Sequence, residues 1–180
     1  WVTREGARGM EFSAWGQPGN PPEHEANLVF TRLLAGPMDY TPGIFGMETR
    51  SPGGIQTTWA KQLALYVVIY SPIQMAADLL VHYEANPAPF QFIKDVPVDW
   101  AETKVLAGEI GDFVVIARKD RHSDVWALGA VSDEHPRSLS APLSFLDAGR
   151  RYRAEIYRDG PNADYRGKRE DIVIEQREVT

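Results

Sequence analysis

Residues Phe113–Val131 read FVVIARKDRHSDVWALGAV, two runs of β-branched, aromatic and small apolar residues separated by the polar stretch KDRHSD. Val, Ile, Phe and Trp suit a pleated, half-buried surface, and a charged turn between two such runs marks a hairpin. The pattern predicts two antiparallel strands here. Downstream, in SLSAPLSFL (138–146), Leu139, Ala141, Leu143 and Phe145 alternate with Ser138, Ser140, Pro142 and Ser144, the period of a strand with one buried face. RYRAEIY (151–157) alternates likewise, with Tyr152, Ala154 and Ile156 on one side, before the turn RDGPNAD (158–164); DIVIEQREV (171–179) closes the chain. Five or six strands spaced by turn signals predict an antiparallel β-sandwich.

Upstream the texture differs. Pro and Gly are dense in GQPGNPPE (16–23), AGPMDYTPGIFG (35–46) and SPGG (51–54), and NLVFTRLL (27–34) fits a short helix or a buried strand equally well. IQTTWAKQLALYVVIY (55–70) reads as a helix: Trp59, Leu63, Tyr66, Val67 and Tyr70 recur at three- and four-residue spacing, Gly53 and Gly54 precede it and Pro72 stops it. A second short helix is expected within Ile73–Tyr83. The texture changes after ANPAPFQFIKDVPVDW (85–100), so the expected division is 1–89 and 90–180. The first part has one helix that is apolar nearly all round and too many loops for its own small core, so its packing partners are expected upstream of Trp1.

The 180 residues are 43% hydrophobic and 24% charged, a globular composition, with a formal charge of -6 and no run of Lys and Arg. Nucleic acid is thereby disfavoured as a partner. The absence of cysteine excludes disulfide frameworks, thiolate zinc sites and cysteine nucleophiles. The longest apolar run, LALYVVIY (63–70), is far shorter than the ~20 residues a membrane span needs. The start at Trp1, without an initiator Met or a leader segment, reads as that of a fragment.

Chemistry is sought in carboxylates on irregular backbone beside aromatics, because rigid loops place side chains for binding. REGARGMEF (4–12) carries Glu5 and Glu11, with Trp15 four residues further as an aromatic platform for a sugar. NPPEHE (20–25) puts Glu23, His24 and Glu25 after a rigid Pro-Pro, and GPMDYTPG (36–43) puts Asp39 and Tyr40 between Gly-Pro and Pro-Gly. Such oxygen donors suit calcium, which takes roughly 6–8 oxygens, better than zinc. GARGM lacks the dinucleotide pattern and is not followed by the Lys-Ser/Thr of a P-loop, FSAWG is not a nucleophile elbow, and two-carboxylate chemistry is what is left. His82, His122 and His135, isolated in a helix end and polar turns, read as surface residues.

EGARGMEF, GNPPEHEANLVFTRLLAGPMDYTPGIF, TTWAKQLALYVVIYSPIQMAADL, FQFIKDVPVDWAETKVLAGEIGDFVVIARK and YRAEIYRDGPNADY together closely resemble the C-terminal part of glycoside hydrolase family 97, over nearly the whole chain. That family contains α-glucosidases and α-galactosidases. The resemblance implies that 1–89 is the C-terminal portion of a (β/α)8 TIM barrel and 90–180 an antiparallel β-sandwich domain for packing and subunit contacts: α/β, then all-β. It implies that Glu11 is the general acid and Glu5 a Ca2+ ligand, on one loop at the C-terminal end of a barrel strand, where such enzymes build their sites. Trp15, Glu23, His24, Asp39 and Tyr40 would line the substrate site. The second catalytic carboxylate is expected upstream of Trp1.

The expected parent is thus a calcium-dependent, exo-acting α-glycosidase of the periplasm or the extracellular space, acting on maltose or malto-oligosaccharides. Two alternatives stand beside it: an α-galactosidase of the same family, and a β-sandwich module that binds glycans without turnover.

Overall fold

The computed structural model describes residues 6–15, 18–46, 48 and 52–180. Helices precede strands along the chain: α1 (Phe12–Trp15), α2 (Glu23–Phe30), α3 (Trp59–Val68), α4 (Leu80–Ala85) and α5 (Pro87–Asp95), then β1 (Trp100–Glu109), β2 (Phe113–Asp120), β3 (Trp126–Ser132), β4 (Tyr152–Asp159) and β5 (Ile172–Val179). All pairing is antiparallel, in a three-stranded sheet of order β1-β2-β3 and a separate hairpin β4-β5.

The 113–131 hairpin forms as its sequence dictates, in unbroken register from Phe113 opposite Ser132 to Lys119 opposite Trp126. Its central strand is covered on both faces, with Val114 to Arg118 all buried. One face packs into the main core, where Val114, Ile116 and Val131 meet Leu28 of α2, Leu65 and Val68 of α3, and Met38 and Tyr40. Each such side chain contributes roughly 1.5–3 kcal/mol when fully buried. Gly129 permits the close approach: a Cβ there would lie 2.9 Å from Val67 Cβ and 3.0 Å from the Ala64 carbonyl oxygen.

Two sequence expectations are corrected. The alternating 138–146 stretch is not a strand; it turns at Leu143–Leu146 and lays Phe145 on the Trp126 ring, centroids 4.8 Å apart. Pro142 removes a ladder donor in mid-segment, and the covering role needs only its apolar side chains. The strands pair as two separate antiparallel sheets, and among the described residues α3 packs against β2, β3 and β4. Finally, Glu23-His24-Glu25 is the first turn of α2 rather than a loop. The fixed φ of the preceding prolines suits a helix start, and acids there complement the helix dipole.

The α3 helix is buried nearly all round, as its composition requires, with Thr58 as N-cap accepting from Lys61 N at 3.2 Å. It ends at Val68, short of Tyr70, because Arg118 of β2 takes its last carbonyls: Nε donates to Val67 O (2.6 Å) and Nη2 to Val68 O (3.2 Å). Of the stretch 73–83 only the part from Leu80 is helical. Ile73–Leu79 is held irregular by Ala77 N donating to Pro42 O and Gln74 Nε2 donating to Tyr66 O. The expected division at 89/90 falls inside α5, whose Pro87 opens it at a position where a proline costs no hydrogen bond. Phe92 of that helix meets Tyr157 of β4 edge-on, 5.0 Å apart.

Candidate active site

The segment before α1 is pinned from behind. Met10 is buried in the core, Asn20 Nδ2 donates to Gly9 O (2.8 Å) and Asn20 N donates to Ser13 Oγ (3.3 Å). With its neighbours fixed, Glu11 projects its carboxyl outward at the rim of a half-open cavity of about 290 Å³. Met10, Ala14, Ile44, Ile55, Ala77 and Thr41 form the rest of the lining, so Glu11 is the sole ionisable group among the described lining residues. Thr41, thirty residues away in the chain, donates its hydroxyl to Glu11 Oε1.

Thr41 belongs to a loop, Thr41–Gly46, that buried side chains hold on every side. Gln62 Oε1 accepts from Gly43 N (2.7 Å) and Ile44 N (3.0 Å), while its Nε2 donates to Thr57 Oγ1 (2.6 Å). The Tyr66 hydroxyl lies 3.0 Å from Pro42 O, and the Tyr83 hydroxyl donates to Gly43 O at 2.9 Å. Asp78 Oδ2 accepts from Phe45 N (2.6 Å) and Gly46 N (2.7 Å), and its Oδ1 from Leu79 N (2.7 Å). Gly43 has φ +94°, a conformation that leaves no place for a side chain, and a Cβ there would strike the Tyr66 hydroxyl at 2.5 Å. The result is a preorganised edge for the cavity.

Electrostatics reinforce the clamp. Burial pushes the Tyr66 hydroxyl well above the ordinary tyrosine range and that of Tyr83 up to about 12, so both stay protonated donors. Burial alone would raise Asp78, but the hydrogen bonds from His82, Gly46, Leu79 and Phe45 outweigh it and hold the carboxyl below the usual carboxylate range. His82 is thus half-buried and tied to Asp78 (Nδ1 to Oδ1, 2.6 Å), not a free surface histidine. Because the folded-state value is depressed, the contribution of Asp78 to stability is complete above the ordinary carboxylate range and is lost as the pH falls through the folded value. Melting curves from pH 6 to pH 3 should show Asp78→Asn destabilised at pH 6 and the gap to the parent closing toward pH 3; a constant gap would show that the clamp is not charge-dependent.

The other sequence candidates fall into two groups. Trp15 is open to solvent, 67% exposed, and stands edge-on against Phe12 with centroids 5.0 Å apart; Arg8 lies over the other ring at 4.9 Å. Glu23 and Asp39 are half-buried. His24 faces inward to the segment before α1, its Nε2 2.7 Å from Arg8 O. Tyr40 is buried and donates to Glu25 Oε1 (2.9 Å); Glu25, itself 1% exposed, pairs with Lys61 Nζ through Oε2 at 3.4 Å. Burial first and Glu25 second push the Tyr40 hydroxyl well above its ordinary range. Glu5 lies outside the described residues.

Among the described residues the one grouping whose ligand atoms converge as a metal site requires is Asp133–Glu134–His135, far in sequence from Glu11. Asp133 is already bonded by Arg137, which depresses its carboxyl strongly. The described residues therefore supply no calcium cage beside Glu11. Sequence reading missed Thr41, Gln62 and Asp78; the Gly-Pro and Pro-Gly flanks of 36–43 signalled a rigid loop but not the distant side chains that hold it.

Known proteins match the chain over nearly all of its length. Residues 99–180 match the family described as "Glycosyl-hydrolase 97 C-terminal, oligomerisation". A retaining alpha-galactosidase of Bacteroides thetaiotaomicron is 36% identical over 174 residues, 91% of this chain and 26% of that protein; a probable retaining alpha-galactosidase of Streptomyces bingchenggensis is 31% identical over 89% of this chain and 24% of its own length. The chain thus spans about a quarter of those relatives. A glycoside hydrolase family 97 enzyme of Pseudoalteromonas sp., solved with panose and with acarbose, superposes with TM-score 0.93 at 55% identity over 100% of this chain and 28% of its own. A beta-arabinopyranosidase at TM-score 0.56 and 23% identity shares the fold. By sequence and by fold alike, the chain belongs to glycoside hydrolase family 97.

Proposed function

We propose that the full-length protein is an exo-acting α-glucosidase in which Glu11 is the general acid. The observation that carries this is the carboxyl of Glu11 at the mouth of a largely apolar cavity, fixed by Thr41 on a clamped loop. An acid so placed gives its proton to the glycosidic oxygen as the C1–O bond breaks, a step worth about 10²–10⁴-fold in rate. The partner carboxylate comes from a part of the protein N-terminal to Trp1, in a barrel whose last portion is 1–89. Its distance from Glu11 sets the outcome: about 5–5.5 Å for retention and about 6.5–9.5 Å for inversion.

Glucose is preferred over galactose because the relative at 55% identity binds panose, an α-linked glucose trisaccharide, and acarbose. The α-galactosidase reading is favoured by the names of the curated relatives, which are less similar at 36% and 31%. Trp15, exposed four residues after Glu11, would stack on the leaving sugar, with Glu23 and Asp39 at the periphery; Tyr40 and His24 serve by holding the loops behind. Glu5 would contribute to a Ca2+ site. Residues 99–180 would make subunit contacts, in keeping with the description of their family, and the enzyme would work in the periplasm or outside the cell.

The test is hydrolysis by the full-length protein of panose and maltose against melibiose, with the anomer of the product followed by NMR, in calcium and after chelation. Turnover of the glucosides, lost on chelation and restored by calcium, is the expected result. Turnover of melibiose alone would transfer the assignment to α-galactosidase, and inactivity on all three would favour a glycan-binding module.

A further inference from the structure

We propose that Thr41 is a positioning residue for the acid: its hydroxyl selects which oxygen of Glu11 carries the transferable proton. The inference rests on the reading of Glu11 as general acid. The Thr41 O–H donates to Oε1, so a protonated Glu11 carries its hydrogen on Oε2, the oxygen that the hydroxyl leaves free. As the C1–O bond breaks, its electron pair passes to the glycosidic oxygen and the proton moves there from Oε2, leaving a carboxylate. The Thr41 hydrogen bond then becomes charge-assisted and strengthens, as such bonds do when the acceptor ionises. The hydroxyl thus stabilises the transition state more than the ground state, which is what acceleration requires.

This demands a hydroxyl whose place does not depend on Glu11. Thr41 meets that demand because the residues that follow it are fixed by groups remote from the acid: Tyr66 and Gln62 of α3, Tyr83 of α4, and Asp78. Gln62 is 0% exposed and Tyr66 1%. Glu11, by contrast, is exposed and projects from a short segment. Without the bond it would sample several rotamers over the cavity mouth, and only a fraction of them would present a proton to the substrate.

The distinguishing readout is leaving-group dependence. A sugar leaves poorly and needs its oxygen protonated, whereas 4-nitrophenolate leaves with little help. In the full-length enzyme Thr41→Val should lower kcat on panose on the order of tenfold, the size of effect expected from one charge-assisted hydrogen bond. Its kcat on 4-nitrophenyl α-glucoside should fall much less, and Thr41→Ser should restore most of the panose rate. If the enzyme proves specific for galactose, melibiose and the 4-nitrophenyl α-galactoside form the pair. Equal losses on both substrates, or no loss on the disaccharide or trisaccharide, would overturn the proposal. Should Thr41→Val fold poorly, Thr41→Ala and Thr41→Ser carry the same comparison. Glu11→Gln is the control: if it leaves panose cleavage intact, the acid assignment itself has failed; if it abolishes cleavage while the Thr41 variants behave as the parent, only the role of Thr41 has.

Discussion

Glu11→Gln should reduce hydrolysis of panose or maltose by about 10²–10⁴-fold while leaving substrate affinity within a few fold, the range that general acid catalysis supplies. The amide has the shape and exposure of the acid and keeps an oxygen to accept from Thr41, so the cavity rim is preserved; what it lacks is a transferable proton. The loss should shrink sharply on an aryl glycoside with a good leaving group, because protonation then contributes little to bond breaking. Steady-state kinetics on the two substrates and calorimetric binding of panose make the measurement. A variant that binds panose normally and no longer cleaves it separates catalysis from recognition, and so also separates the enzyme from a glycan-binding module. A variant that cleaves both substrates like the parent would place the acid elsewhere.

What could be read from the chain beforehand follows from the range of the interactions involved. The 113–131 hairpin and α3 were legible because period and composition are local properties, and in both cases burial demanded the residues that signal the element. β1 was not, since Ala101 to Val105 are exposed on an edge strand and carry no apolar alternation. The 138–146 segment misled because a covering loop that inserts Phe145 against Trp126 has the same apolar-polar rhythm as a strand. At the site the distinction is the same. Glu11 and Trp15 lie in one short motif and could be singled out together; Thr41 and Gln62 act on it from thirty and fifty-one residues away, and nothing local to either announces that role. His24 and Tyr40 stand out in the sequence beside their prolines as residues expected to line the substrate site; in the structure their polar atoms face Arg8 O and Glu25, an orientation that spacing does not encode.

The largest structural effect is expected at Arg118, which joins the two parts of the chain. From β2 it donates to Val67 O, Val68 O and, through Nη1, to Thr103 Oγ1 at 2.7 Å, and its guanidinium lies 5.6 Å from the centre of the Tyr70 ring. Burial pushes its pKa down to about 10, so it is still charged at neutral pH and meets the negative end of α3. Arg118→Met keeps the apolar stem but strands two buried carbonyls, each costing about 1–3 kcal/mol, for a total of roughly 2–6 kcal/mol. Arg118→Lys should recover little, because a single ammonium cannot span three acceptors that a planar fork reaches together. Hydrogen exchange in the full-length protein localises the effect: amides of α3 and β2 should lose about two orders of magnitude of protection, while the β4-β5 hairpin changes far less. Uniform loss across the chain would mean that Arg118 governs global folding instead, and unchanged protection would mean that the apolar face of the sheet alone holds α3 in place.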